Sequence, residues 1–231
     1  MTVRNKRILW ALFVLVILSS GCTFTWPWAK KANMTRSTPD GLYQQGVEHY
    51  QNGDYKKAVE VFQRLKEENP LSTIALMAEI GIADSYFSNK DYPEAGLAYR
   101  EFINLHPTNE NLPYVMYQLG MCHFNQMTTV DRDQSEVLKA LKEFERLTAR
   151  FPGSKFSFLG EKMIRECKKI LGEQEFYVGE YYFNRKQYQA ALLRFEKIAR
   201  DYANVGLDYK VGYYIGESKR RIVEEEAKKN K

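Results

Sequence analysis

The sequence predicts an all-α protein made of stacked helical hairpins. Three observations carry that expectation. Small and aromatic residues recur at fixed offsets along most of the chain, turn residues and prolines punctuate each copy, and 44% hydrophobic with 27% charged residues is enough to bury a core. Three cysteines in 231 residues exclude a disulfide framework, and they show no metal-ligand spacing. The formal charge of +5 shrinks to about +2 once Arg4, Lys6 and Arg7 are set aside with the N-terminal leader. So balanced a chain gives no support to nucleic-acid binding.

The N-terminus reads as an address. Arg4, Lys6 and Arg7 precede an apolar run, Ile8 to Leu18, closed by Ser19-Ser20-Gly21-Cys22. The run matches a signal-peptide core and falls short of the ~20 residues that span a bilayer, although an uncleaved anchor helix is the competing reading. Gly21-Cys22 resembles the bacterial lipobox, with one departure: the usual Leu three residues before the Cys is Ser19. The resemblance implies cleavage after residue 21 and acylation of Cys22. Each buried CH₂ contributes ~0.8 kcal/mol, so several acyl chains would hold the chain on a membrane without a spanning helix. Thr23 stands where inner-membrane lipoproteins commonly carry Asp, which implies the outer membrane. Residues 22–38 read as a flexible tether, with Trp26 and Trp28 either at the headgroup level or docked elsewhere.

The repeat begins next. Gly46, Tyr50, Gly53-Asp54-Tyr55, Ala58, Phe62 and Pro70 form the first copy. Gly46 and Ala58 are small where two helices must approach closely. Asn52-Gly53-Asp54 is turn chemistry, Phe62 fills the hairpin, and Pro70 stops the second helix. Ala83, Tyr86, Asp91-Tyr92, Ala95, Tyr99 and Pro107 repeat the set, with Ala58 to Ala95 and Pro70 to Pro107 both 37 apart. Gly120, Phe124, Ala140, Phe144 and Pro152 form a third copy. Its small-residue pair is 20 apart instead of 12, which places eight inserted residues around Thr128 to Glu136. Gly179, Tyr182, Tyr188, Ala191 and Phe195 form a fourth, with Ala203 in place of the proline. This spacing is that of tetratricopeptide (TPR) repeats.

An uninterrupted helical pattern, Lys155 to Lys186, precedes the fourth hairpin and spans roughly 45 Å at 1.5 Å per residue. A last helix, about Leu207 to Glu226, ends in a charged tail suited to a solenoid terminus. The expected architecture is a TPR superhelix of about five helix pairs with an extended helix before the fourth repeat. Its segments are a leader at 1–21, a tether at 22–38, repeats one to three at 39–153, and the long helix with repeats four and five at 154–227.

Catalytic chemistry is hard to find. His49, His106 and His123 make no HExxH motif or i,i+4 pair, and no glycine-rich phosphate loop occurs. Cys122 and His123 are adjacent on a helix and face different directions. Cys122 and Cys167 read as buried thiols, with a disulfide between them left open. The expectation is a protein that is not an enzyme and has no cofactor or metal. What remains is surface. Tyr43, Tyr50, Phe87, Tyr117 and Phe124, with Asp84 and Asn125 as polar neighbours, fall on the first helices, which line the inner face of a TPR array. They read either as a groove for peptides with aromatic side chains or as inter-repeat core.

Lipobox, repeats and insertion together resemble the YfiO family of outer-membrane assembly lipoproteins. The likeness runs from about Pro39 to Tyr202. It is carried by LYQQGVEHYQNGDYKKAVEVFQRL, INLHPTNENLPYVMYQLGMCHF, FPGSKF and the loop Asp131, Arg132, Asp133 and Gln134. The resemblance implies a non-catalytic adaptor on the periplasmic face of the outer membrane, anchored through Cys22. Its implied partners are a β-barrel assembly subunit with POTRA domains, other assembly lipoproteins and unfolded outer-membrane proteins. Arg194 matches a position that can pair with a POTRA carboxylate, against the plain reading of an exposed helical arginine. Asp133 or Gln134 is expected to cap the following helix. The competing function is another periplasmic TPR adaptor, tied to envelope division or peptidoglycan.

Overall fold

The computed structural model of the protein describes residues 38–127, 129 and 133–229. The leader, Cys22, most of the tether, Asp131 and Arg132 lie outside the described residues. Among the described residues there are nine helices and no strand. They are α1 (Pro39–Gln51), α2 (Tyr55–Glu68), α3 (Thr73–Ser88), α4 (Tyr92–Leu105), α5 (Leu112–Phe124), α6 (Ser135–Arg150), α7 (Lys155–Asn184), α8 (Tyr188–Asp201) and α9 (Asp208–Lys229). Each helix packs on the next, and α1 also meets α3 and α5 meets α7. That is the neighbour pattern of antiparallel hairpins stacked in series.

Local chemistry fixes the ends. Thr38 caps α1, accepting the Gly41 amide at 3.1 Å, with Pro39 in the first turn. Ser72 caps α3 and Ser154 caps α7 through their hydroxyls. The turns inside hairpins one, two and four share one device. Gly53 (φ 79°), Lys90 (φ 67°) and Lys186 (φ 60°) occupy equivalent left-handed positions. Lys186 therefore lies outside α7, which ends two residues earlier than the pattern suggests. Helix α8 stops without its proline because Asn204 (φ 62°) and Gly206 (φ 89°) turn the chain, and the Asp208 carboxylate accepts the Asn204 amide at 2.9 Å.

The expected five pairs would require ten helices. The described residues hold nine, pairing as α1–α2, α3–α4, α5–α6 and α7–α8 with α9 over, and α7 is a single 30-residue helix serving two neighbours. Its N-terminal half lies on α6, where Gly160 meets Leu147 and Thr148. Its C-terminal half pairs with α8, where Gly179 meets Phe195. Helix α9 then packs on α8.

The packing within hairpins obeys one rule. Phe62 of α2 lies against Gly46 of α1, Phe144 of α6 against Gly120 of α5, and Phe195 of α8 against Gly179 of α7. All three rings are essentially buried. A Cβ on Gly120 would sit 2.5 Å from the Phe144 ring, and one on Gly179 2.7 Å from Phe195. Hairpin two carries Ala83 and Tyr99 at these places. Four buried clusters result, and the helices of the stack share them.

Gly120→Ala is expected to cost about 1–3 kcal/mol by overpacking against Phe144, read from the urea midpoint. Gly212→Ala, with no atom within 4 Å of the added carbon, is expected to be neutral or to stabilise by up to about 1 kcal/mol.

Candidate functional site

The first helices of the hairpins bring most of the predicted residues onto neighbouring elements. On α1, the Tyr43 ring packs on Phe62 at 5.8 Å, and Tyr50 sets its edge on Tyr55 at 5.5 Å. The Tyr50 hydroxyl bonds Ser88 of α3 at 2.8 Å, tying the two first helices together. Phe87 of α3 rests its edge on Tyr92 at 5.3 Å. On α5, Tyr117 lies between Phe144 at 5.7 Å and Phe156 at 6.0 Å. Each of these rings is half-buried: part of it packs between helices and part reaches solvent. Each ring thus packs between helices on one side and leaves an edge open on the other.

Asp84 is the polar centre of this face. Its Oδ1 accepts hydrogen bonds from Tyr99 of α4 and, at 2.8 Å, from Tyr114 of α5. Gln118 in turn donates to the Tyr114 hydroxyl at 3.0 Å. Burial pushes the Asp84 carboxyl above its ordinary range, only partly offset by the two hydroxyls. Its charge reaches outward, adding to burial in raising the Tyr43, Tyr99 and Tyr114 hydroxyls. The result is a carboxylate ringed by tyrosines from three helices.

Phe124 and Asn125 sit further along, at the end of α5. Phe124 packs against the third core cluster, and Asn125 is an exposed helix terminus whose amide donates to the Met121 carbonyl at 2.9 Å. Neither belongs to the Asp84 cluster. Sequence reasoning missed Tyr114, Gln118, Ser88 and Tyr99 as members. Tyr114 and Gln118 are four residues apart on α5, as are Asp84 and Ser88 on α3, so helical spacing alone gave the available signal.

The other predicted residues lie elsewhere. Asp133 accepts the Ser135 amide at 3.1 Å at the start of α6, while buried Gln134 donates to the Thr129 carbonyl at 2.8 Å. Of the two proposed caps, Asp133 bonds the helix start and the Gln134 side chain does not. Arg194 of α8 is engaged within the chain: its Nη1 donates to Glu175 of α7 at 2.9 Å, and Lys197 donates to the other oxygen. Burial raises the Glu175 carboxyl, yet the bonds from Lys197 and Arg194 outweigh it and hold the group below its usual range. Cys122 and Cys167 are free and buried, burial pushing each thiol up to about 12. Among the described residues no group of His, Cys, Asp and Glu is placed to hold a metal ion, and no helix is long and apolar enough to cross a membrane.

A raised carboxyl pKa means that the folded chain holds the Asp84 proton more tightly than the unfolded chain does. Asp84 therefore adds stability below the unfolded carboxylate pKa of ~3.9, and that contribution is lost as pH rises through its folded value. Urea midpoints taken from pH 4 to 7 should show the wild type losing ground to Asp84→Asn as pH rises; parallel profiles would contradict the assignment.

The chain is similar to known proteins over most of its length. The YfiO family model, described as an outer membrane lipoprotein, matches residues 35–231. The chain is 28% identical over 224 residues to the outer membrane protein assembly factor BamD of Rickettsia prowazekii (strain Madrid E), covering 96% of this chain and 88% of that one. It is 28% identical over 210 residues to BamD of Neisseria meningitidis serogroup A, covering 86% and 78%. Among solved structures, a thermophilic TPR protein of Thermus thermophilus aligns with a TM-score of 0.43 and 16% identity over 77% of this chain and 99% of that one.

Proposed function

Because this chain belongs to the YfiO family of outer-membrane lipoproteins, we propose that it is an outer-membrane protein assembly factor that works as an adaptor and carries out no catalysis. The carrying observation is the match across residues 35–231, which takes in every described helix. In this reading Cys22 is acylated and holds the chain on the periplasmic face of the outer membrane. The half-exposed rings of Tyr43, Tyr50, Phe87 and Tyr117 receive aromatic-bearing segments of unfolded outer-membrane proteins. The depth of the face supports this role: rings already braced from behind lose little freedom when a ligand ring stacks on their open side.

The C-terminal helices dock the POTRA region of the barrel subunit, with Arg194 as the contact. The Glu175 bridge bears on that assignment. It uses one nitrogen of a guanidinium that has five N–H donors and is 41% exposed. The bridge aims the side chain while leaving donors for a carboxylate of the partner.

Photo-crosslinkers placed at Tyr50 and Phe87 are expected to trap segments of unfolded barrel proteins, and labelling confined to the opposite face would count against the groove. In pull-downs from solubilised envelope, Arg194→Glu should lose the barrel subunit about tenfold or more. Lys197→Glu removes the other ion pair of Glu175, at a cost of about 1–2 kcal/mol for a partly exposed pair, and should retain the barrel subunit. Equal losses would assign Arg194 to internal stability alone.

A further inference from the structure

Three hairpins in this chain are closed by the same joint. An aromatic residue stands three places before a glycine on the first helix: Tyr43 before Gly46, Tyr117 before Gly120, Phe176 before Gly179. A phenylalanine from the second helix lies on the glycine and touches that aromatic, with ring centroids 5.8, 5.7 and 5.5 Å apart. On the second helix an alanine always stands four residues before the phenylalanine.

Helix α9 carries the first half of this joint, and among the described residues no second half meets it. Tyr213 stands three places before Gly216, with Tyr209 and Gly212 one turn earlier on the same face. The opposite side of α9 is occupied: Val211, Tyr214 and Ile215 pack into the fourth core, and Tyr214 stacks on Phe195 at 4.9 Å. The Tyr213 side is open. Tyr209 is 91% and Tyr213 62% exposed, and a Cβ on Gly212 or Gly216 would meet nothing within 4 Å. Two glycines inside an exposed helix weaken it, and no neighbour among the described residues accounts for them. In the filled joints the glycine admits a ring that a side chain would displace.

We propose that the Tyr209–Gly212–Tyr213–Gly216 face of α9 docks an amphipathic α-helix of a partner protein, which lays a phenylalanine or tyrosine ring on Gly216 against Tyr213. The occupant is argued from the three joints built into the chain: each is filled by a helix presenting an aromatic ring four residues after a small residue. Docking there continues the hairpin stack by one helix. The inference does not rest on the assembly reading and concerns a different surface from the Asp84 face.

The probe is a peptide copying α2, Tyr55–Glu68, held helical by a staple on its polar side because free helices of this length are marginal in water. Titrated into the isotope-labelled full chain, it is expected to shift amides between Tyr209 and Arg220. The peptide with Phe62→Ala should bind at least tenfold more weakly. Gly216→Gln in the protein, a helix-favouring change in open space, should remove binding while leaving the melting temperature at or above that of the wild type. Shifts centred outside α9, equal binding of the two peptides, or an unchanged spectrum would overturn the proposal. So would self-association of the chain that Gly216→Gln abolishes, since that result would assign the face to a second copy.

Discussion

A phenyl ring lying on a glycine sets how closely the two helices of a hairpin approach. Phe62, Phe144 and Phe195 do this on Gly46, Gly120 and Gly179, and the depth of each contact leaves no room for a methyl group. The spacing of the next helix depends on it. Phe62 is also wedged against Gly81 of α3, so one ring determines both the closure of hairpin one and its seating on hairpin two. Interiors packed at crystal-like density pass such constraints along, which is how identical local joints produce a regular stack.

Hairpin two departs from the rule, and the departure creates the polar centre of the inner face. There the ring is Tyr99 and the small residue Ala83. The hydroxyl gives the buried ring a donor that needs a partner, and Asp84, beside Ala83, supplies it. Tyr114 from the following repeat completes the pair. The buried Tyr99 ring thus anchors a carboxylate among the rings proposed to hold peptide. The burial that raises the Asp84 pKa also strengthens the hydrogen bonds of this network.

Periodicity made the hairpins legible, and with them Gly46, Ala58, Phe62 and their copies, because each needs a particular size at a particular place. The long helix was legible too, except at Lys186, where a left-handed turn residue looks like any other lysine in a helical pattern. The candidate face was only partly readable. Tyr43, Tyr50, Phe87 and Tyr117 emerge from repeat register, but Ser88, Tyr114 and Gln118 join through bonds between helices 30 or more residues apart, or through a neighbour so bonded. The bonds between helices leave no local spacing, and Tyr114 to Gln118 leaves only the four-residue spacing common to any helix face. Arg194 shows the same gap: on its own helix it is an outward arginine, and only the fold brings Glu175 and Lys197 to it.

Helix α7 changes what kind of repeat protein this is. In an ordinary solenoid every unit touches only its neighbours, so melting can start at either end and travel one unit at a time. Here 30 residues of unbroken helix belong to both the third and the fourth hairpin. Its Cys167, Ile170 and Leu171 close the core of the third hairpin and its Phe176 and Phe183 that of the fourth, so loosening of either core reaches the other along one helix. The third and fourth hairpins are thus joined by backbone hydrogen bonds as well as by side-chain packing.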